Sequence, residues 1–172
     1  NTANIGLENT DITTNERGAI VVNDTCESSV PGVYAVGDVN GGPQFTYISL
    51  DDFRIVFGAL TGNGQYTLKD RKNIPYTTFL TPPLARVGLT EEDAINKGYT
   101  VKTKEMLVAT MPRAHVNDYL KGAFKIVVNA DNDLILGATL YSQGAEELIN
   151  LIKMAMDNNI PYTYFKNQIF TH

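Results

Sequence analysis

Gly37-Asp38, closing the run GVYAVGD, is where this sequence most plainly offers chemistry. A carboxylate at the carboxyl end of a short β-branched and aromatic run, followed by a glycine-proline turn and a helix start, stands where open α/β sheets bind ligands. The same aspartate would also suit a plainer duty, capping its own turn, and the local residues leave both readings open. Cys26, the single cysteine, has no partner for an internal disulfide, and with only His115 and His172 beside it no structural zinc or other metal centre is expected. Arg113 and His115 stand in MPRAHVND, which reads as a solvated loop between strands that could line a partner or substrate surface. GNGQYT, at 62–67, lacks the third glycine of a dinucleotide fingerprint and follows a helical stretch rather than a strand, so it reads as a turn.

The elements that would position Asp38 are short. Residues 18–22 (GAIVV) and 32–36 (GVYAV) predict two strands around a loop at 23–31. Phe53, Val56, Phe57 and Leu60 keep a helical period that predicts a helix over about 45–60, ended by Gly62 and Gly64. The polar run TLKDRKN breaks every period and marks a boundary, which divides the chain into 1–72 and 73–172.

Beyond it, strands are predicted at 76–80 and 85–89 on either side of Pro82-Pro83. A helix follows at 90–98, opened by a capping box of Thr90 and Asp93. Further strands are predicted at 100–110, 123–129 and 134–141. In the middle one Phe124, Ile126 and Val128 alternate with polar neighbours while Val127 falls out of step. A helix over 145–157 places Ala145, Leu148, Ile149, Ile152, Ala155 and Met156 on one face, which should cover the sheet. The fold class expected is α+β, an antiparallel sheet with helices on it.

A chain of 172 residues with 43% hydrophobic content can bury an ordinary core. Its net charge of -5 offers nothing to a phosphate backbone or an anionic lipid surface, so nucleic acid and membrane are not expected partners. With no apolar run near the roughly 20 residues of a membrane span and no signal-like start, a cytoplasmic location is expected. The start at Asn1 and the end at His172 read as marks of a piece of a longer chain.

Four collinear blocks carry a resemblance. PGVYAVGDVNGGPQFT resembles the second flavin-contacting motif of the pyridine nucleotide-disulfide oxidoreductases, which include glutathione reductase, dihydrolipoamide dehydrogenase and mercuric reductase. RGAIVVNDTCESSVPGVYAVGDV is similar to that family's approach to the motif, IPYTTFLTPPLARVGLTEEDA to the opening of its C-terminal dimerisation domain, and LILGATLYSQGAEELINLI to the strand and helix after it. The resemblance implies a terminal piece of the FAD-binding α/β domain followed by the dimerisation domain.

It further implies an oxidoreductase that moves electrons from NAD(P)H through FAD and a cysteine pair to a small-molecule substrate, as a homodimer. By the resemblance Asp38 bonds the ribityl chain of FAD, with Gly37 letting the backbone come close. Gln44, Phe45 and Thr46 open the helix that faces the flavin, with Thr46 the backbone donor; for the Phe45 side chain plain core packing is the alternative. His172 takes the place of the histidine that manages thiol protons at the partner subunit's disulfide, although the proline and glutamate that accompany it in the family are absent. Without the resemblance a terminal histidine would be a disordered residue or the start of a tag.

GGPQFTYISLDDFRIV departs from the threonine-proline run of glutathione reductase and looks more like a bacterial branch near mercuric reductase, linked to reactive chlorine species or hypothiocyanous acid. This chain alone, without fingerprint or cysteine pair, is expected to show no turnover. The alternative reading is a non-catalytic homodimerisation module.

Overall fold

The computed structural model describes residues 2–171. Two units follow one another along the chain, Asn1–Arg71 and Lys72–His172.

In the first unit the runs expected as strands form no continuous ladder. They make isolated antiparallel bridges, Thr14 with Ile20, Val22 with Ser28 and Glu27 with Tyr34. The amides of these runs reach scattered partners rather than one neighbouring strand: Ala19 N donates to Asn15 Oδ1 at 3.0 Å, Gly32 N to Glu27 Oε1 at 2.8 Å, Ile20 N to Val39 O at 2.9 Å and Val21 N to Thr13 O at 3.0 Å. After a single 3-10 turn at Gly37–Asn40 comes helix α1, Thr46–Thr61, which stops at Gly62 in the left-handed conformation.

The buried face of α1 is Ile48, Asp52 and Ile55. Phe53, Phe57 and Leu60, whose spacing predicted the helix, are each more than half exposed. The helix forms as the period predicted, but those residues are not its inner stripe, which has a buried aspartate at its centre.

The second unit is a five-stranded antiparallel sheet in the order β1-β2-β5-β4-β3, formed by β1 (Tyr76–Thr78), β2 (Leu84–Gly88), β3 (Val101–Leu107), β4 (Ala123–Asn129) and β5 (Ile135–Tyr141). β1 ends two residues before its expected limit, and the last part of the run at 100–110 turns into a 3-10 helix at Val108–Thr110. The misfit at Val127 is a register shift between Val127 and Val128 in the β4–β5 ladder, so both valines are buried.

Period-two side chains from the centre of the sheet, Ala85, Val87, Ala138 and Leu140, pack against Ala145 and Ile149 of helix α4, Ala145–Asp157. Phe124, Ile152 and Met156 close the margin of this core. Leu148, expected inside, is exposed. The helix at Glu91–Asn96, α2, carries both halves of its capping box, with Thr90 Oγ1 accepting from the Asp93 amide at 3.0 Å and Asp93 Oδ2 accepting from the Thr90 amide at 3.2 Å.

Two short helices were not anticipated. α3, Pro112–Val116, replaces the loop around His115, its proline supplying the first helical residue. α5, Tyr162–Asn167, follows Pro161. β3 is an edge strand exposed along nearly its whole length, with lysines at 102 and 104.

Candidate functional site

Asp38 lies in the 3-10 turn between Val36 and Gly41. Its side chain is exposed and takes no hydrogen bond or ion pair among the described residues, so it does not cap the turn. Other groups hold that turn. Gly41 N donates to Asp38 O at 3.2 Å, Gly42 N donates to Asn40 Oδ1 at 3.0 Å, and Ile20 N donates to Val39 O at 2.9 Å. The Asp38 carboxylate is thereby presented with all its acceptor capacity free.

It faces an open cavity of about 920 Å³, whose lining includes Asn15, Arg17, Gly18, Val39 and Gln44. That volume is in the range of small-molecule sites, and the wall mixes two carboxylates, Glu16 and Asp38, with a guanidinium and two side-chain amides. Such a wall suits a polar ligand rich in hydroxyls, because a carboxylate accepts strongly from O–H donors.

Gly37 is buried at φ 72°, and a Cβ placed on it would stand 2.5 Å from Ser49 Oγ of α1. The turn therefore sits directly against the helix, and only glycine permits that approach. Phe45 is the N-cap of α1, with extended backbone and no side-chain cap. The first amides of the helix, Thr46 included, are thus not satisfied by a capping side chain and point their partial positive charge outward. Phe45 is half-buried and stacks on Tyr47 with ring centroids 5.1 Å apart; burial pushes the Tyr47 phenol above its ordinary value.

Of the residues expected at the site, Asp38 and Gln44 meet at the cavity, Gly37 is the buried neighbour of Asp38 in the turn, and Phe45 and Thr46 start α1. His172 lies outside the described residues. Three side chains were missed. Asp52, with no exposed surface, accepts through Oδ2 from Gly37 N at 2.7 Å and Asn40 Nδ2 at 2.9 Å, and through Oδ1 from Arg71 Nη2. Arg71 Nε also donates to Asp51 Oδ2 at 2.7 Å. Burial opposes the Arg71 charge, but the bonds from Asp52 and Asp51 prevail and lift its pKa above the ordinary arginine value. The signal was the pair Asp51-Asp52 inside an otherwise apolar helical run, which demands a cation somewhere.

The fold and this motif define a class. The pyridine nucleotide-disulphide oxidoreductase dimerisation domain matches residues 74–172, and the pyridine nucleotide-disulphide oxidoreductase family matches residues 1–52. The chain belongs to the pyridine nucleotide-disulphide oxidoreductase family.

Among its relatives is the probable pyridine nucleotide-disulfide oxidoreductase RclA of Escherichia coli strain K12, 47% identical over 171 residues, which cover 99% of this chain and 39% of RclA. Mercuric reductase of Staphylococcus aureus is 36% identical over 156 residues, 91% of this chain and 28% of the relative. The solved structure of the HOCl-induced flavoprotein disulfide reductase RclA from Escherichia coli superposes with a TM-score of 0.94 at 46% identity, over 100% of this chain and 40% of that one. The chain therefore spans about two-fifths of the length of RclA.

Proposed function

We propose that this chain is the C-terminal part of a homodimeric, cytoplasmic, FAD-dependent NAD(P)H:disulfide oxidoreductase, with residues 1–72 ending the FAD domain and 73–172 forming the dimerisation domain. The observation that carries the reading is the unpartnered Asp38 carboxylate at a polar cavity, above a turn pressed against the start of α1. The residues fit the cofactor. Asp38 would accept from the hydroxyls of the ribityl chain, Gln44 would line the same wall, and the first amides of α1, at Thr46, would favour negative charge at the end of the flavin they face. When bound, FAD would supply the two-electron carrier between NAD(P)H and a cysteine pair. His172 would hold or release the proton of a thiol across the dimer, as the resemblance implies.

The identity to RclA, set beside that to mercuric reductase, favours an oxidant or disulfide-like substrate of the reactive-chlorine or hypothiocyanous acid kind. Exposed Phe79 and Ile169, at 85% and 99%, support the dimerisation role of the second unit, which is compatible with either a catalytic or a non-catalytic parent.

The test uses the protein expressed from its whole gene. It should carry the yellow chromophore and oxidise NADH or NADPH when given hypothiocyanous acid, oxidised glutathione, lipoamide or Hg(II) in parallel. Preference for lipoamide would refute the proposed branch. Asp38→Ala should raise the FAD dissociation constant by roughly tenfold, the worth of one charge-assisted hydrogen bond. Unchanged affinity would remove Asp38 from the site.

A further inference from the structure

Asp52 is the sole carboxylate buried among the described residues, and it occupies the middle of an amphipathic helix between Ile48 and Ile55. An apolar side chain there would complete the inner stripe of α1 without any desolvation of charge. What the carboxylate does instead is hold the turn. One oxygen takes the Gly37 amide at 2.7 Å and the Asn40 side-chain amide at 2.9 Å, while the other takes the Arg71 guanidinium. Asn40 in turn donates to Ala35 O at 3.2 Å and accepts from Gly42 N at 3.0 Å, so the bonds bracket Asp38 on both sides.

We propose that Asp52, anchored by Arg71, is a positioning residue that sets the Gly37–Asn40 turn and through it the direction in which Asp38 meets the cofactor. The proposal rests on the flavin reading of Asp38. Asp52 itself has no exposed surface, so it acts on a ligand only through the backbone it holds. Arg71 divides its guanidinium between Asp51 and Asp52, a bridge from one residue at the end of the first unit to two on α1. Glycine at position 37 lets the amide come within reach, since any Cβ would collide with Ser49.

Three changes in the whole flavoprotein test this: Asp52→Asn, the paired Asp52→Leu with Arg71→Met, and Asp38→Ala. Each is measured by apoprotein thermal unfolding, FAD titration of the apoprotein and the visible absorption band of the bound flavin. The paired change removes the buried ion pair but leaves the Gly37 amide without its acceptor and Asp51 without its guanidinium, so its apoprotein should still fold while unfolding at a somewhat lower temperature than the parent. Its FAD dissociation constant should nevertheless rise on the order of tenfold, with a shifted flavin band, because the turn has lost two bonds. Asp52→Asn, which keeps one acceptor, should show a smaller rise and the same direction of band shift.

Parent-like affinity and spectrum in a folded paired variant would overturn the proposal. If that variant does not fold, parent-like values in Asp52→Asn would do the same. Should Asp38→Ala weaken FAD while both Asp52 changes do not, the positioning role alone fails. If Asp38→Ala has no effect, the flavin reading beneath it fails as well.

Discussion

Cys26 is a thiol with no exposed surface, held in a left-handed turn at φ 63° by its amide's bond to Asn23 O at 3.0 Å. Burial, and then the charge of Asp52, pushes its pKa up from 9.0 to about 11. The group is neutral at physiological pH and shielded, so it should resist iodoacetamide in the native protein and react only after denaturation. Because the folded pKa is the higher one, the fold has the full contribution of this thiol below about pH 9 and loses it as pH climbs towards about 11. Cys26→Ala should flatten that part of the alkaline stability slope, read by urea unfolding at several pH values. Part of the slope should remain, since burial also raises the Tyr47 and Tyr66 phenols. An unchanged slope would mean the thiol ionises in both states alike.

At the scale of elements, α4 carries the largest share of the second unit's core, and Ile149 at its centre is 2% exposed between β2 and β5. Ile149→Ala should cost about 2–5 kcal/mol in denaturant unfolding, by lost burial and the cavity left behind; a loss below 1 kcal/mol would show the sheet collapsing onto the helix. This helix was legible because its apolar residues repeat at the helical period and Asn158 to Pro161 stops it. The capping box at Thr90 and Asp93 was equally plain, since short polar side chains bond their own backbone.

The first unit was harder to read. GAIVV and GVYAV have strand composition, yet their amides go to scattered partners, Ala19 to the Asn15 side chain, Gly32 to Glu27 and Ile20 to Val39 O, a dispersal that composition does not reveal. Asp38 could be singled out from its glycine and its place after an apolar run. Asp52 and Arg71 could not be paired, because their contact depends on how the chain returns nineteen residues later.

For the whole molecule, two units of different character follow one another, a turn-rich piece with a polar cavity and a sheet backed by a helix. Among the described residues no helix is long and apolar enough to cross a membrane. Phe79 and Ile169 display apolar surface that water disfavours. Light scattering of the protein from the whole gene should give twice the subunit mass, and Phe79→Asp with Ile169→Asp should shift it towards the single subunit. Retention of the doubled mass by that variant would place the contact elsewhere.

The outermost strand of the sheet, β3, leaves one side of seven residues of extended backbone without a neighbouring strand. Such a border invites another polypeptide to extend the ladder indefinitely. Ammonium groups at Lys102 and Lys104 must stay hydrated, and a docking chain would have to strip that water away. The same two side chains thus guard the sheet's border against unwanted lengthening by further chains.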